Sequence, residues 1–381
     1  MDKALLNRFL ALSVIGSVTL MPLLVLPAMI GVLVDNAGLS DAAAGKSASA
    51  HFLASAAIGL LVSLRIHHFN FRQWARAGLL VAMIADVGSA IFAGDTSLFL
   101  SARIIAGFAL GIAYVVSVAS FARLEHYERG FGLFVTLQFI VSGVGLYAIP
   151  VFADQLGAGG LFLGFAALEA LALLMTWSLP TSKVDREFAN STVPESKILF
   201  SAVTLLAVFA YAVFEAANNA QFTYIERFGV GLNLSDQQIG LSLLVASLIG
   251  IPGAFTIVFV GQRFGTLLPL LFGVGIAITG LFILISAQTY FAYFAGGCCM
   301  GFSWAFCLPF IQSLLAGLDR RGSAIAAGTS FSTFGSAAGP GVAALVVGGS
   351  AYARVFLLSM GLFVLTAIAF ALAHWVRRTS V

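Results

Sequence analysis

Long apolar stretches separated by short polar breaks run the whole length of the chain, and no segment alternates apolar with polar residues. A helix needs about 20 apolar residues to cross the hydrocarbon core of a bilayer. The stretches have to be helices, because lipid offers no hydrogen-bond partner to an exposed backbone N–H or C=O. The absence of alternation excludes a transmembrane β-barrel. Reading the runs between polar breaks predicts twelve spans, near 10–34, 46–64, 77–94, 98–121, 131–153, 158–179, 198–222, 236–260, 266–286, 289–317, 323–349 and 351–375. The first follows Lys3 and Arg8 and is too long for the apolar part of a signal peptide, roughly 7–15 residues. It reads as a membrane helix with the N-terminus in the cytoplasm.

The polar breaks repeat. "GLSDAAAG" at 38–45 and "NLSDQQIG" at 233–240 fall in the loops after spans one and seven. In each, a serine (Ser40, Ser235) precedes an aspartate, the pattern of a helix N-cap, and Gly45 and Gly240 then fall in the first turns of the next helix. Within span four, Gly107, Gly111 and Tyr114 have the spacing of Gly297, Gly301 and Trp304 in span ten. Gly143 and Gly335 stand at the same distance from loop glycines Gly130 and Gly322. Matches in one order along the chain imply a duplication: two six-helix halves of equal polarity, related by an axis along the membrane normal. The expected organisation is a first half over 1–180, a cytoplasmic linker over 181–197 ("TSKVDREFANSTVPESK" from 181) and a second half over 198–381.

Composition agrees with the pattern. Hydrophobic residues make up 60% of the chain and charged ones 9%, far below the roughly 25% charge of a soluble domain. With the N-terminus inside, fifteen of the 19 Lys and Arg residues fall in cytoplasmic segments; only Lys46, Arg227 and Arg354 fall outside, and Arg103 lies within a span. That bias fixes the orientation by the positive-inside rule and accounts for the slight excess of positive charge, so no nucleic-acid partner is implied. The expected setting is the cytoplasmic (inner) membrane, with both termini inside. Cys298, Cys299 and Cys307 share one apolar run and read as small filler, neither a disulfide framework nor a zinc site. His67 and His68 read as surface residues of a cytoplasmic loop. There is no phosphate-binding loop, no HExxH and no metal-spaced histidine cluster, so no cofactor is expected and ATP is not the energy source.

With its twelve spans, six-plus-six repeat and central linker, the chain resembles the major facilitator superfamily along nearly its whole length. "ARIIAGFALGIAY" matches that family's span-four pattern at Arg103, Gly107 and Gly111. The loop after span two, "LRIHHFNFRQWARAG", keeps Arg65, Arg72 and Arg76 but lacks the family's aspartate; its second-half counterpart is reduced to "GQRFG". The Gly-Pro signature of drug/proton exchangers in span five is split here between Gly145 and Pro150, and a Gly-Pro-Gly occurs in span eleven at 339–341 instead. The resemblance implies a secondary carrier whose two halves rock about a midplane site.

Ionisable groups inside spans are costly and are functional candidates by default. Asp86 and Arg103 stand at nearly equal counts from Asp95, at the turn between spans three and four, which predicts an ion pair in the outer part of the membrane. The pair either pins the two spans together or, as the resemblance implies, Arg103 faces the cavity and alternates between Asp86 and a substrate anion or a second carboxylate. Glu169, expected opposite Gly143–Gly145, is either a structural neutral acid or a proton carrier. In span seven, Tyr211, Glu215, Asn218 and Asn219 share a helical face; amides and a carboxylate there either bind a polar solute and a proton or make an interhelical contact. Tyr114, Gln138, Trp304 and Gln312 are further candidates for solute contact, with Tyr114 and Trp304 expected as facing aromatic walls.

The sequence thus predicts an all-α polytopic membrane protein. It is expected to be a monomeric proton-coupled carrier of a small, partly polar organic solute, inclined towards uptake. Arg103, Tyr114, Gln138, Asn218, Asn219, Trp304 and Gln312 are expected at the solute, and Glu215, Asp86 and Glu169 at the proton. A proton antiporter exporting drugs or metabolites is the alternative. From another class stand a non-transporting sensor, which is expected to carry a soluble output domain, and a lipid handler, which needs an apolar lateral route. An enzyme is disfavoured, because no nucleophile–base pair can be recognised.

Overall fold

The computed structural model describes residues 3–64, 70–121, 127–179, 201–260, 264–318, 323–348 and 351–379. Helix occupies each of the twelve predicted intervals. Among the described residues, nine helices are long and apolar enough to cross a membrane, and two shorter apolar helices accompany them. The chain divides into two compact units, Met1–Asn190 and Ser191–Val381; the expected linker at 181–197 lies outside the described residues, as do His67 and His68.

Unit 1 contains α1 (Lys3–Thr19), α2 (Met21–Leu24), α3 (Leu26–Asp35), α4 (Asp41–Leu64), α5 (Phe71–Ile91), α6 (Thr96–Phe121) and α7 (Tyr127–Met175), closed by a 3-10 turn at Thr176–Ser178. The predicted first span is not one helix. Pro22 and Pro27 each enter the first turn of a new segment, because proline lacks the N–H and clashes with the preceding turn. Predicted spans five and six form one long element, α7, divided at Gly157, whose φ of 58° and ψ of −173° interrupt the ladder; glycine adopts this backbone without a Cβ penalty.

Unit 2 contains α8 (Ala202–Gly231), α9 (Asp236–Leu248), α10 (Gly250–Val260), α11 (Leu267–Ile285), α12 (Tyr290–Ala316), α13 (Ser323–Val346) and α14 (Tyr352–Thr379). The predicted eighth span breaks at Ile249, ahead of Pro252. Helix α8 outlasts its predicted end by more than two turns, so Arg227, expected in an outer loop, is buried within the helix beside Glu226.

Each unit repeats the other's packing. In unit 1, α6 packs on α4 and α5, and α7 on α1 and α5; in unit 2, α12 packs on α9, α10 and α11, α13 and α14 on α8, and α14 on α11. Lipid tails give helices no hydrophobic reason to associate, so close approach through small residues does the work. A Cβ on Gly107 would run into the His51 carbonyl oxygen, and one on Gly301 into that of Ala246. The octets take the expected role: Ser40 Oγ accepts from Ala43 N, and Ser235 forms a full capping box with Gln238. Outward side chains such as Ile84, Leu174, Phe272 and Phe291 are exposed, as lipid-facing residues must be.

Of the retained loop arginines, Arg72 and Arg76 serve unit 1 itself; Arg65 lies outside the described residues. Arg72 Nε donates to the Leu179 carbonyl at 3.1 Å and Arg76 Nε to Thr176 Oγ1 at 2.9 Å. Both place positive charge at the C-terminal end of α7, where the helix dipole favours it.

Candidate functional site

Two buried polar clusters, one in each unit, gather candidate site residues. In unit 1 the expected ion pair is present: Arg103 Nη2 of α6 donates to Asp86 Oδ1 of α5. Arg103 Nε donates to Ser89 Oγ at 2.9 Å, one turn along α5 from Asp86. The guanidinium lies 4.5 Å from the centroid of Phe162 and 6.0 Å from that of Phe99, within reach of a cation–π interaction. Arg103 is 1% exposed and Asp86 0%, so in this conformation Arg103 offers a solute no surface.

Glu169 of α7 belongs to the same cluster. The expectation set it opposite Gly143–Gly145; the open side of Gly145 meets Val25 and Met21, while the residues that flank Glu169 in α7, Ala166, Ala167 and Ala170, line one groove with Met83, Ile84 and Val87, which flank Asp86 in α5. Equal depth along a hairpin does not decide which way a side chain points. Sequence reasoning also missed His51 of α4, which is buried and places Nδ1 2.9 Å from the Arg103 carbonyl oxygen. Because a carbonyl only accepts, that nitrogen carries the hydrogen. A histidine within a predicted span was the available signal.

In unit 2 three helices converge on Glu215 of α8. Trp304 Nε1 of α12 donates to Oε1 at 3.3 Å. Ser336 Oγ of α13 donates to Oε2 at 3.1 Å, and Asn219 Nδ2 reaches the same oxygen at 3.4 Å. Glu215 is 6% exposed, and burying a carboxyl is tolerable only where donors replace water. Of the residues expected at the solute, Asn219 and Trp304 therefore join Glu215. Asn219 Nδ2 also donates to the Glu215 carbonyl of its own helix at 3.0 Å, and Asn218 donates to the Phe214 carbonyl, 3.0 Å away. Ser336 was not among the expected site residues.

The remaining candidates are not gathered into either cluster. Tyr114 packs against the apolar core of unit 1 around Phe9, Leu12 and Phe121. Gln138 is half-buried in α7, and Gln312 is exposed on α12. The expected equivalence of Tyr114 and Trp304 is off by one helical turn. Asp95 caps α6 through Ser97 N and Leu98 N, and Thr289 caps α12. Counting from those caps pairs Gly107 with Gly301, in keeping with their shared contacts on α4 and α9, and sets Trp304 opposite Leu110.

The arrangement offers proton-binding groups and hydrogen-bonding side chains. Among the described residues no His, Cys, Asp and Glu cluster could hold a metal ion.

The sequence matches the profile of the Major Facilitator Superfamily over residues 9–340. No curated relative matches it in sequence. By fold the chain is similar to the nucleoside transporter NupG, in a mutant form, with 15% identity, a TM-score of 0.82, and coverage of 96% of this chain and 99% of that one. It is similar to the xylose transporter XylE from E. coli in a partially occluded inward-open conformation (14% identity, TM-score 0.73, 96% and 97% covered). A D-xylose-proton symporter structure also matches, at 17% identity and TM-score 0.69, with 96% and 95% covered.

Proposed function

The chain belongs to the major facilitator superfamily, and from that premise we propose that it is a proton-coupled carrier of a small organic solute, working by alternating access, with Glu215 as the coupling acid. The observation that carries this reading is the convergence of Trp304, Ser336 and Asn219 on one buried carboxyl. An ionised carboxylate accepts all three bonds. A protonated one turns part of its acceptor capacity into an O–H donor, so the donors from α8, α12 and α13 must rearrange. Proton occupancy is thereby tied to the packing of three helices, which is the differential interaction a coupled conformational change requires.

The solute is small and partly polar, with an aromatic or apolar part that suits the Trp304 indole and Asn219. The neighbours named as nucleoside and D-xylose transporters make those two solute classes the first to test. The charge bias across predicted loops supports a cytoplasmic membrane with both termini inside. The residues at 181–197 then join the two lobes on that side.

The test is proton flux in proteoliposomes with a pH dye inside. Nucleosides, pentoses, aromatic acids, amino acids and lipophilic cations are added outside one at a time, beside protein-free vesicles. Acidification on solute addition is expected for uptake with protons, and alkalinisation identifies proton antiport. Counterflow of a labelled solute with no pH change in any case ends the claim of proton coupling.

A further inference from the structure

We propose that Asp86, Arg103 and Glu169 form a proton-binding site closed within unit 1, where two carboxyls share one guanidinium and one resident proton, carried by Glu169.

The argument starts from charge. Two acids and one base lie together at 2% exposure or less, and buried charges have to be matched. Asp86 takes the direct ion pair through Oδ1, which leaves Glu169 as an uncompensated second acid. An ionised Glu169 would add a negative charge that the one guanidinium, already matched by Asp86, does not balance, so the cluster is neutral when Glu169 holds a proton. His51 does not supply the missing positive charge. Its ring is buried beside Arg103, it bonds that residue's carbonyl, and two adjacent cations in an apolar interior repel.

The hydrogen-bond inventory points the same way. Asp86 Oδ2, Arg103 Nη1 and Glu169 Oε2 are buried without hydrogen-bond partners in the protein. Two of the three are carboxyl oxygens, to which a proton on Glu169 would bring an O–H, and Arg103 Nη1 is a spare donor with which the guanidinium can reach the second acid. Arg103 can turn from one acid to the other, and the proton then moves to whichever carboxyl is released. Two acids competing in this way titrate as a pair.

Among the described residues, the surroundings of the guanidinium are apolar. Phe99 and Phe162 cover the guanidinium. On the outer side Met83, Ile84 and Val87 of α5 and Ala166, Ala167 and Ala170 of α7 line an apolar groove. This site is separate from the coupling acid proposed above and does not rest on it.

The experiment is a difference infrared spectrum of purified full-length protein at neutral pH, taken with Glu215→Gln in every sample so that Glu215 is silent. Subtracting Glu215→Gln/Glu169→Gln from Glu215→Gln is expected to leave the carbonyl stretch of one neutral carboxylic acid. Carboxylate bands in its place would overturn the proposal. The same subtraction with Asp86→Asn in both samples is expected to lose the acid band and gain carboxylate bands, since Glu169 becomes the counter-ion of Arg103. An acid band that persists there would contradict the sharing. Should Asp86→Asn fail to fold, the first subtraction, which rests on a near-isosteric change, still decides the matter.

Discussion

Unit 1 buries Asp86 and Arg103 against each other, whereas Glu215 of unit 2 is buried against neutral donors. Asp86 and Arg103 are locked across α5 and α6, with Glu169 beside them and aromatic rings over the cation. Glu215 instead collects an indole, a hydroxyl and an amide from three helices. The difference teaches where a proton can do work. In unit 1 its loss would strand a charge in a sealed interior. In unit 2 its arrival changes which neutral bonds are made, at a modest cost for each.

The contrast breaks most sharply at Arg103. Arg103→Ala leaves two buried acids without a cation, and removing one partner of a buried pair costs about 3–5 kcal/mol. Thermal unfolding in detergent is expected to show a large fall in midpoint or no folded protein. Glu215→Gln, by comparison, is expected to keep the wild-type midpoint within a few degrees; a fall as large as that of Arg103→Ala would erase the distinction between the units.

The shared framework is sharpened next. Gly107→Ala and Gly301→Ala each push a methyl into a carbonyl of the neighbouring helix, and overpacking of this kind costs about 1–3 kcal/mol. Equal losses in the two units are expected from unfolding measurements. Gly275→Ala, at a glycine with no atom near its would-be Cβ, is the neutral control. A loss at one of the pair alone would undo the register that matches α6 with α12. The smallest effect is expected at Trp304→Phe, which keeps the ring but removes one donor to Glu215. A neutral hydrogen bond contributes about 1 kcal/mol, so a several-fold change in the proton dependence of transport is expected with little change in stability.

Much of this was legible from residue patterns. Twelve apolar intervals and the two capping octets at Ser40 and Ser235 located the helices. Counting from Asp95 paired Asp86 with Arg103, because two adjacent spans joined by a tight turn leave little freedom in depth. Depth is not direction, however, and the partner of Glu169 did not follow from its position in a hairpin. Glycine spacing admits registers one turn apart, so Tyr114 was matched with Trp304 until the helix caps decided between them. Arg227 read as part of an outer loop because hydropathy sees charge and not burial. Ser336 carried no signal of its own among small residues; only the fold brings it to Glu215.

The most direct test of the central claim is accumulation against counterflow in proteoliposomes, using the solute that evokes the largest pH response. Wild type is expected to concentrate the labelled solute when a proton gradient is imposed, and to exchange it without one. Glu215→Gln is expected to exchange at a comparable rate while failing to concentrate the solute at all. Accumulation by Glu215→Gln that equals wild type would contradict the assignment of Glu215 as the coupling acid.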